Sequence, residues 1–261
     1  MGNKLIEGLS LLTRKTQRVL PDIYMLDFRI VNAFIISFGS RYWALVDTGL
    51  ENSDEYIIRA ADDIFGAGTR PHAILLTHGH FDHTGSLKAL TMHWDVPTYI
   101  HKNELAYITG QKDYPLADDG ISEGLVAEMS ESFPHSAIDI KDRATALPDD
   151  NSVPFCEGWR WVFTPGHSQG HVSFFRESDG TLIAGDAVST VRQESLWSVM
   201  TQKETFTVPP SYLTEDFDKA AESIETLLRL EPALLLPSHG RPLEGEEIKK
   251  RLHQEALSAD L

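Results

Sequence analysis

Four side chains able to bind a divalent metal stand within six residues at His78-Gly79-His80-Phe81-Asp82-His83, directly after the apolar run Ala73-Ile74-Leu75-Leu76-Thr77. If that run is a strand that continues outward, His78 and His80 leave it on the same side, because side chains two apart on a strand share a face. Asp82 and His83 follow where the chain is predicted to turn into a helix from Thr84 to about His93. Such a turn can aim a carboxylate and a third imidazole at a second ion nearby. Imidazole and carboxylate are the usual ligands of zinc, iron and related metals, so the hexapeptide reads as a metal site rather than as a polar turn with surface histidines. The fold must then bring further ligands to the same place.

Three other segments are built to do so. Trp161-Val162-Phe163-Thr164 ends in Pro165-Gly166-His167, Thr181-Leu182-Ile183-Ala184 ends in Gly185-Asp186, and Ala233-Leu234-Leu235-Leu236 ends in Pro237-Ser238-His239-Gly240. Each is a short apolar run closed by Pro or Gly and then by one ligand-type residue, as expected of loops carried on a rigid sheet. A single histidine or aspartate after a strand is more often a loop cap; four such places in one chain point to a site.

The pattern resembles that of the metallo-β-lactamase superfamily, a His-x-His-x-Asp-His motif followed by a distant His, an Asp and a final His. Carried over residue by residue, the resemblance implies that His78, His80 and His167 hold one metal, that Asp82, His83 and His239 hold a second, and that Asp186 bridges them. Ala44-Leu45-Val46-Asp47-Thr48-Gly49 also looks like the family's opening motif, with Asp47 either orienting a ligand imidazole or capping a helix near Ser53 to Phe65. The fold implied is α/β, a four-layer αββα sandwich, and the cofactor is two divalent ions, zinc first with iron or manganese as alternatives. Such a pair can hold a hydroxide between them at neutral pH, and that hydroxide is the implied attacking group. Asp82 and Asp186 are the implied catalytic carboxylates. Hydrolysis of an ester, thioester or lactone of a small substrate fits, of the lactonase or thioesterase type. An iron-dependent oxidoreductase similar to persulfide dioxygenases is the alternative, and a nuclease a more distant one. The tyrosine that acyl-homoserine-lactone lactonases carry three residues after the bridging Asp is Ser189 here, which leaves Tyr212, after Pro209-Pro210, as another source of a hydroxyl.

Composition narrows the partners. With 39 acidic and 23 basic residues the formal net charge is −16, and two divalent ions offset only a small part of it. A nucleic-acid binder needs a basic footprint, so the expected partner is a small molecule, neither nucleic acid nor membrane, with a homodimer left open. No stretch approaches the roughly 20 apolar residues of a membrane helix. Cys156 is the single cysteine, which excludes an intrachain disulfide and suits a reducing, cytoplasmic setting.

The ligands run from His78 to His239, so one domain over 1–261 is expected, with a cap insertion at about 102–158. Within it, Lys102 to Gln111 and Leu125 to Ser132 read as short helices around the acidic Asp118-Asp119-Gly120. Tyr107, Tyr114, Met129 and Phe133 either line a pocket there or pack the insertion down. His171, four residues after His167, is expected to be structural or to support a ligand, because Gly170 and the strand-like Val172-Ser173-Phe174-Phe175 oppose a helix.

Overall fold

Runs rich in β-branched and aromatic residues between Lys15 and Val46 form an antiparallel meander: β1 Lys15–Leu20, β2 Ile23–Asp27, β3 Asn32–Ser37 and β4 Trp43–Val46. The computed structural model describes residues 13–39, 41–115, 133–193, 195–208 and 213–259. Their contacts divide into two compact units. The first takes the described residues up to Pro115 with 133–148 and 154–157; the second takes 149–153 and the described residues from Gly158 onward.

In the first unit the meander continues into parallel pairing, which requires long crossovers. Helix α1, Asp54–Phe65, leads to β5, Ala73–Leu75; helices α2, Phe81–Thr84, and α3, Leu87–Trp94, lead to β6, Thr98–Ile100. Helix α4, Leu105–Ile108, precedes β7, Ala144–Ala146, and the sheet runs β1 to β7 in chain order. Ile57, Ala60 and Ala61 form the buried face of α1 at helical spacing. Trp43 on β4 ties the layers together, stacked on Phe65 of α1 and edge-on to Trp94 of α3.

The second unit holds β8 Trp159–Phe163, β9 Val172–Arg176 and β10 Thr181–Gly185, then a separate hairpin of β11 Ser189–Val191 and β12 Glu204–Thr207 around helix α5, Leu196–Thr201. Helix α6, Phe217–Arg229, leads to β13, Leu234–Pro237, and β14, Leu243–Glu244, leads to helix α7, Glu246–Ala259. The five-stranded sheet is ordered β14-β13-β10-β9-β8. Leu182 and Leu235 of the sheet pack with Ile224, Leu227, Ile248 and Leu252 of the two helices.

Two local expectations change. β5 stops at Leu75, not Thr77, because the Thr77 amide donates to the Asp47 side chain instead of to a strand. The helix expected from Thr84 begins earlier, at Phe81, and breaks at Gly85-Ser86, where the Gly85 amide donates to Gly49 O and Ser86 Oγ donates to Leu50 O. The expected helix over Leu125–Ser132, Met129, Asp118-Asp119-Gly120 and Tyr212 with its Pro209-Pro210 turn lie outside the described residues. Among the described residues, no helix is long and apolar enough to cross a membrane.

Candidate metal centre

In the first unit Asp47 organises the hexapeptide. It is fully buried at the end of β4 with φ 59°. Its Oδ1 accepts the Thr77 amide at 2.9 Å, and its Oδ2 accepts the Thr77 hydroxyl and His83 Nδ1–H, each at 2.9 Å. A carboxylate only accepts, so His83 carries its proton on Nδ1 and turns the Nε2 lone pair outward. The Thr77 hydroxyl, having donated to Asp47, accepts from His78 Nδ1–H at 3.1 Å, which leaves Nε2 as the lone-pair nitrogen of His78 as well. One carboxylate therefore sets the tautomers of two imidazoles, the usual task of an outer partner in a metal site.

These side chains converge. His78 Nε2 stands 3.0 Å from His80 Nδ1, and His83 Nε2 stands 3.8 Å from Asp82 Oδ2. All four side chains are buried. Because β5 ends early, His78 and His80 meet through the turn before α2 rather than by alternation along a strand. The turn is clamped by Thr48, whose amide and hydroxyl both donate to His83 O, at 2.7 and 2.8 Å.

The second unit carries a cluster of its own. Asp186 Oδ2 lies 3.4 Å from His167 Nε2 and 3.2 Å from His239 Nε2, all three residues buried. Two donors about 2.1 Å from one ion in tetrahedral geometry are about 3.4 Å apart, so these spacings and the nitrogen and oxygen donor set fit divalent metal. His171 holds Asp186 from behind: the Asp186 amide donates to His171 Nε2 at 2.9 Å, and His171 Nδ1–H donates to Thr164 O at 3.0 Å. The supporting role expected for His171 is the one it has. Ser189 is fully buried and its hydroxyl donates to Val191 O, with His239 O also within 3.1 Å; it steadies the His239 loop.

Asp47 was legible from the sequence, but Thr77 was missed. The signal was there: a hydroxyl side chain closing an apolar run immediately before the first ligand.

Beside the hexapeptide, the first unit contains a cavity of about 560 Å³ lined in part by Leu50, Phe81, Met92, Ile138, Lys88 and Tyr114. That volume falls in the usual range for small-molecule sites.

A family model described as the metallo-beta-lactamase superfamily matches residues 26–239. The chain belongs to that superfamily, and with its clustered His and Asp side chains it is a metal-dependent hydrolase in class. It is 45% identical over 232 residues to a probable metallo-hydrolase of Bacillus subtilis, YflN, covering 88% of each chain. The crystal structure of the B3 metallo-beta-lactamase BLEG-1 matches with TM-score 0.62 at 21% identity, covering 94% of this chain and 99% of the other. TTHA1623, solved in a di-iron-bound form, matches with TM-score 0.58 at 23% identity, covering 89% and 94%. These structural likenesses show the fold of the superfamily, as the resemblance implied.

Proposed function

We propose that the chain is a dinuclear metallo-hydrolase that opens an ester, thioester or lactone carbonyl in a small substrate with an apolar acyl portion. By the superfamily's pattern His78, His80 and His167 would hold one ion, Asp82, His83 and His239 the other, with Asp186 common to both. The observation that carries this reading is the tautomer control by Asp47, which turns the His78 and His83 Nε2 lone pairs outward from one buried anchor. A histidine cluster kept for packing alone has no need of that. When bound, two zinc ions would supply Lewis acidity toward a carbonyl oxygen and bring water to a pKa near neutrality.

The protein's own groups do the rest. Asp82 holds or passes a proton at its carboxylate, and Asp186, braced by His171, keeps its oxygen between His167 and His239. The cavity beside Phe81 and Leu50 offers an apolar wall for an acyl chain, with Lys88 as a cation for a polar end. Its lining favours lactones and thioesters with a hydrocarbon tail over polyanions.

The test is turnover of matched short-chain and long-chain lactones and thioesters by protein loaded separately with zinc, iron or manganese, with Asp186→Ala as the blank. The expected result is hydrolysis that rises with acyl length, about two metals per chain in the unaltered protein, and joint loss of metal and turnover in the variant. Full activity of metal-stripped protein, or of Asp186→Ala, would overturn the reading.

A further inference from the structure

We propose that Glu104 and Tyr114 are positioning residues for the His78 and His80 pair, acting through the amide of Gly79. The inference rests on the metal-site reading above. Glu104 ends the short 3-10 turn Lys102–Glu104 after β6 and is fully buried. Its Oε2 accepts the Gly79 amide at 3.2 Å, Tyr114 Oη accepts the same amide at 2.9 Å, and the Tyr114 hydroxyl donates to Glu104 Oε2. A closed polar triangle thus seizes the peptide N–H that lies between two ligand imidazoles. The Tyr114 ring is itself fixed on two sides, stacked on Tyr107 with centroids 3.7 Å apart and set edge-on to His80 at 4.6 Å.

Residue 79 shows what this arrangement displaced. Gly79 is not among the residues with positive φ, so its backbone would accept another amino acid. A Cβ there would fall 2.5 Å from Tyr114 Oη and 3.0 Å from its Cε2. Glycine is required by the tyrosine rather than by the turn.

Holding one amide does not by itself call for a buried carboxylate, which is costly to desolvate. A glutamine oxygen could accept the same two hydrogens. What the carboxylate adds is a charge-assisted bond of about twice the strength and a negative charge beside imidazoles that hold a cation. The first sharpens the approach of His78 Nε2 to His80 Nδ1; the second favours the metal-loaded state.

Cobalt(II) is the probe. Its affinity, measured by competition against a chelating indicator, and its visible d–d spectrum are compared among the unaltered protein, Tyr114→Phe, Glu104→Gln and the double variant, with melting of each metal-free form alongside. Outer partners of metal ligands are typically worth 10- to 100-fold in affinity. Each single variant is expected to weaken cobalt by about that factor and shift the d–d bands. The double variant should be no weaker than the worse single, because both groups act on one amide. Unaltered affinity and spectrum in both single variants would overturn the inference alone. So would an unshifted spectrum with lowered metal-free melting, the result of a purely structural role. Failure of the unaltered protein to bind cobalt would instead overturn the metal-site reading and the inference with it.

Discussion

Asp47 is held in the left-handed region, which costs most side chains about 1 to 2 kcal/mol and which aspartate and asparagine tolerate better than others. Its bonds to Thr77 and His83 offset that cost, and removing them strands buried donors. Asp47→Ala should therefore lower stability by about 1 to 3 kcal/mol and weaken metal binding by about 10- to 100-fold, read by urea unfolding and by indicator competition. Stability loss without loss of affinity would restrict Asp47 to a packing role. At Cys156 the expectation is inertness, since burial pushes its thiol up to about 12. The group is then protonated at pH 8, and thiolate is the reactive form. Mass spectrometry after iodoacetamide treatment should find native protein unmodified and denatured protein singly alkylated; rapid native alkylation would contradict the buried placement.

At the scale of elements, the loops that carry the proposed ligands are fastened by other segments. The loop after β8 docks on α6: the Glu215 and Asp216 amides donate to Gly166 O, Ser223 Oγ donates to Pro165 O, and the Asp216 side chain caps the helix at the Lys219 amide. Gly166 has φ 133° and its missing Cβ would lie 2.3 Å from the Ala220 amide. Gly166→Ala should then cost at least about 1 to 3 kcal/mol and displace His167, so that metal per chain falls along with the urea midpoint. A variant with full metal content and an unchanged midpoint would show that the loop yields freely. Strands were read from apolar runs to within a few residues, because burial on both faces leaves a local mark. The break between α2 and α3 was not, because it depends on the 49–53 segment capturing the Gly85 amide and the Ser86 hydroxyl.

For the whole molecule, the proposed ligands are spread from His78 to His239 in a chain of net charge −16, so metal binding should couple to global stability. A ligand present at 100 times its Kd stabilises by about 2.7 kcal/mol. For a chain of this size that is a rise of roughly 5 to 10 °C in melting temperature. Chelation followed by calorimetry should show a fall of that size, reversed by added zinc. Identical melting before and after verified removal of metal would uncouple the site from folding.

By itself the sequence determined the candidate His and Asp side chains, their order, the apolar strands that carry them and the acidic net charge. Those are local or compositional properties, and periodicity and residue chemistry express them directly. Tertiary structure alone decided which nitrogen of His78 and of His83 carries the proton, that Ser189 faces backbone, and that Tyr114 occupies the space of a side chain at Gly79. Each of those depends on contacts between segments such as Asp47 with Thr77 and Gly79 with Glu104 and Tyr114. Spacing along the chain carries no record of such contacts, because hydrogen-bond direction and excluded volume exist only once the distant segments are packed together.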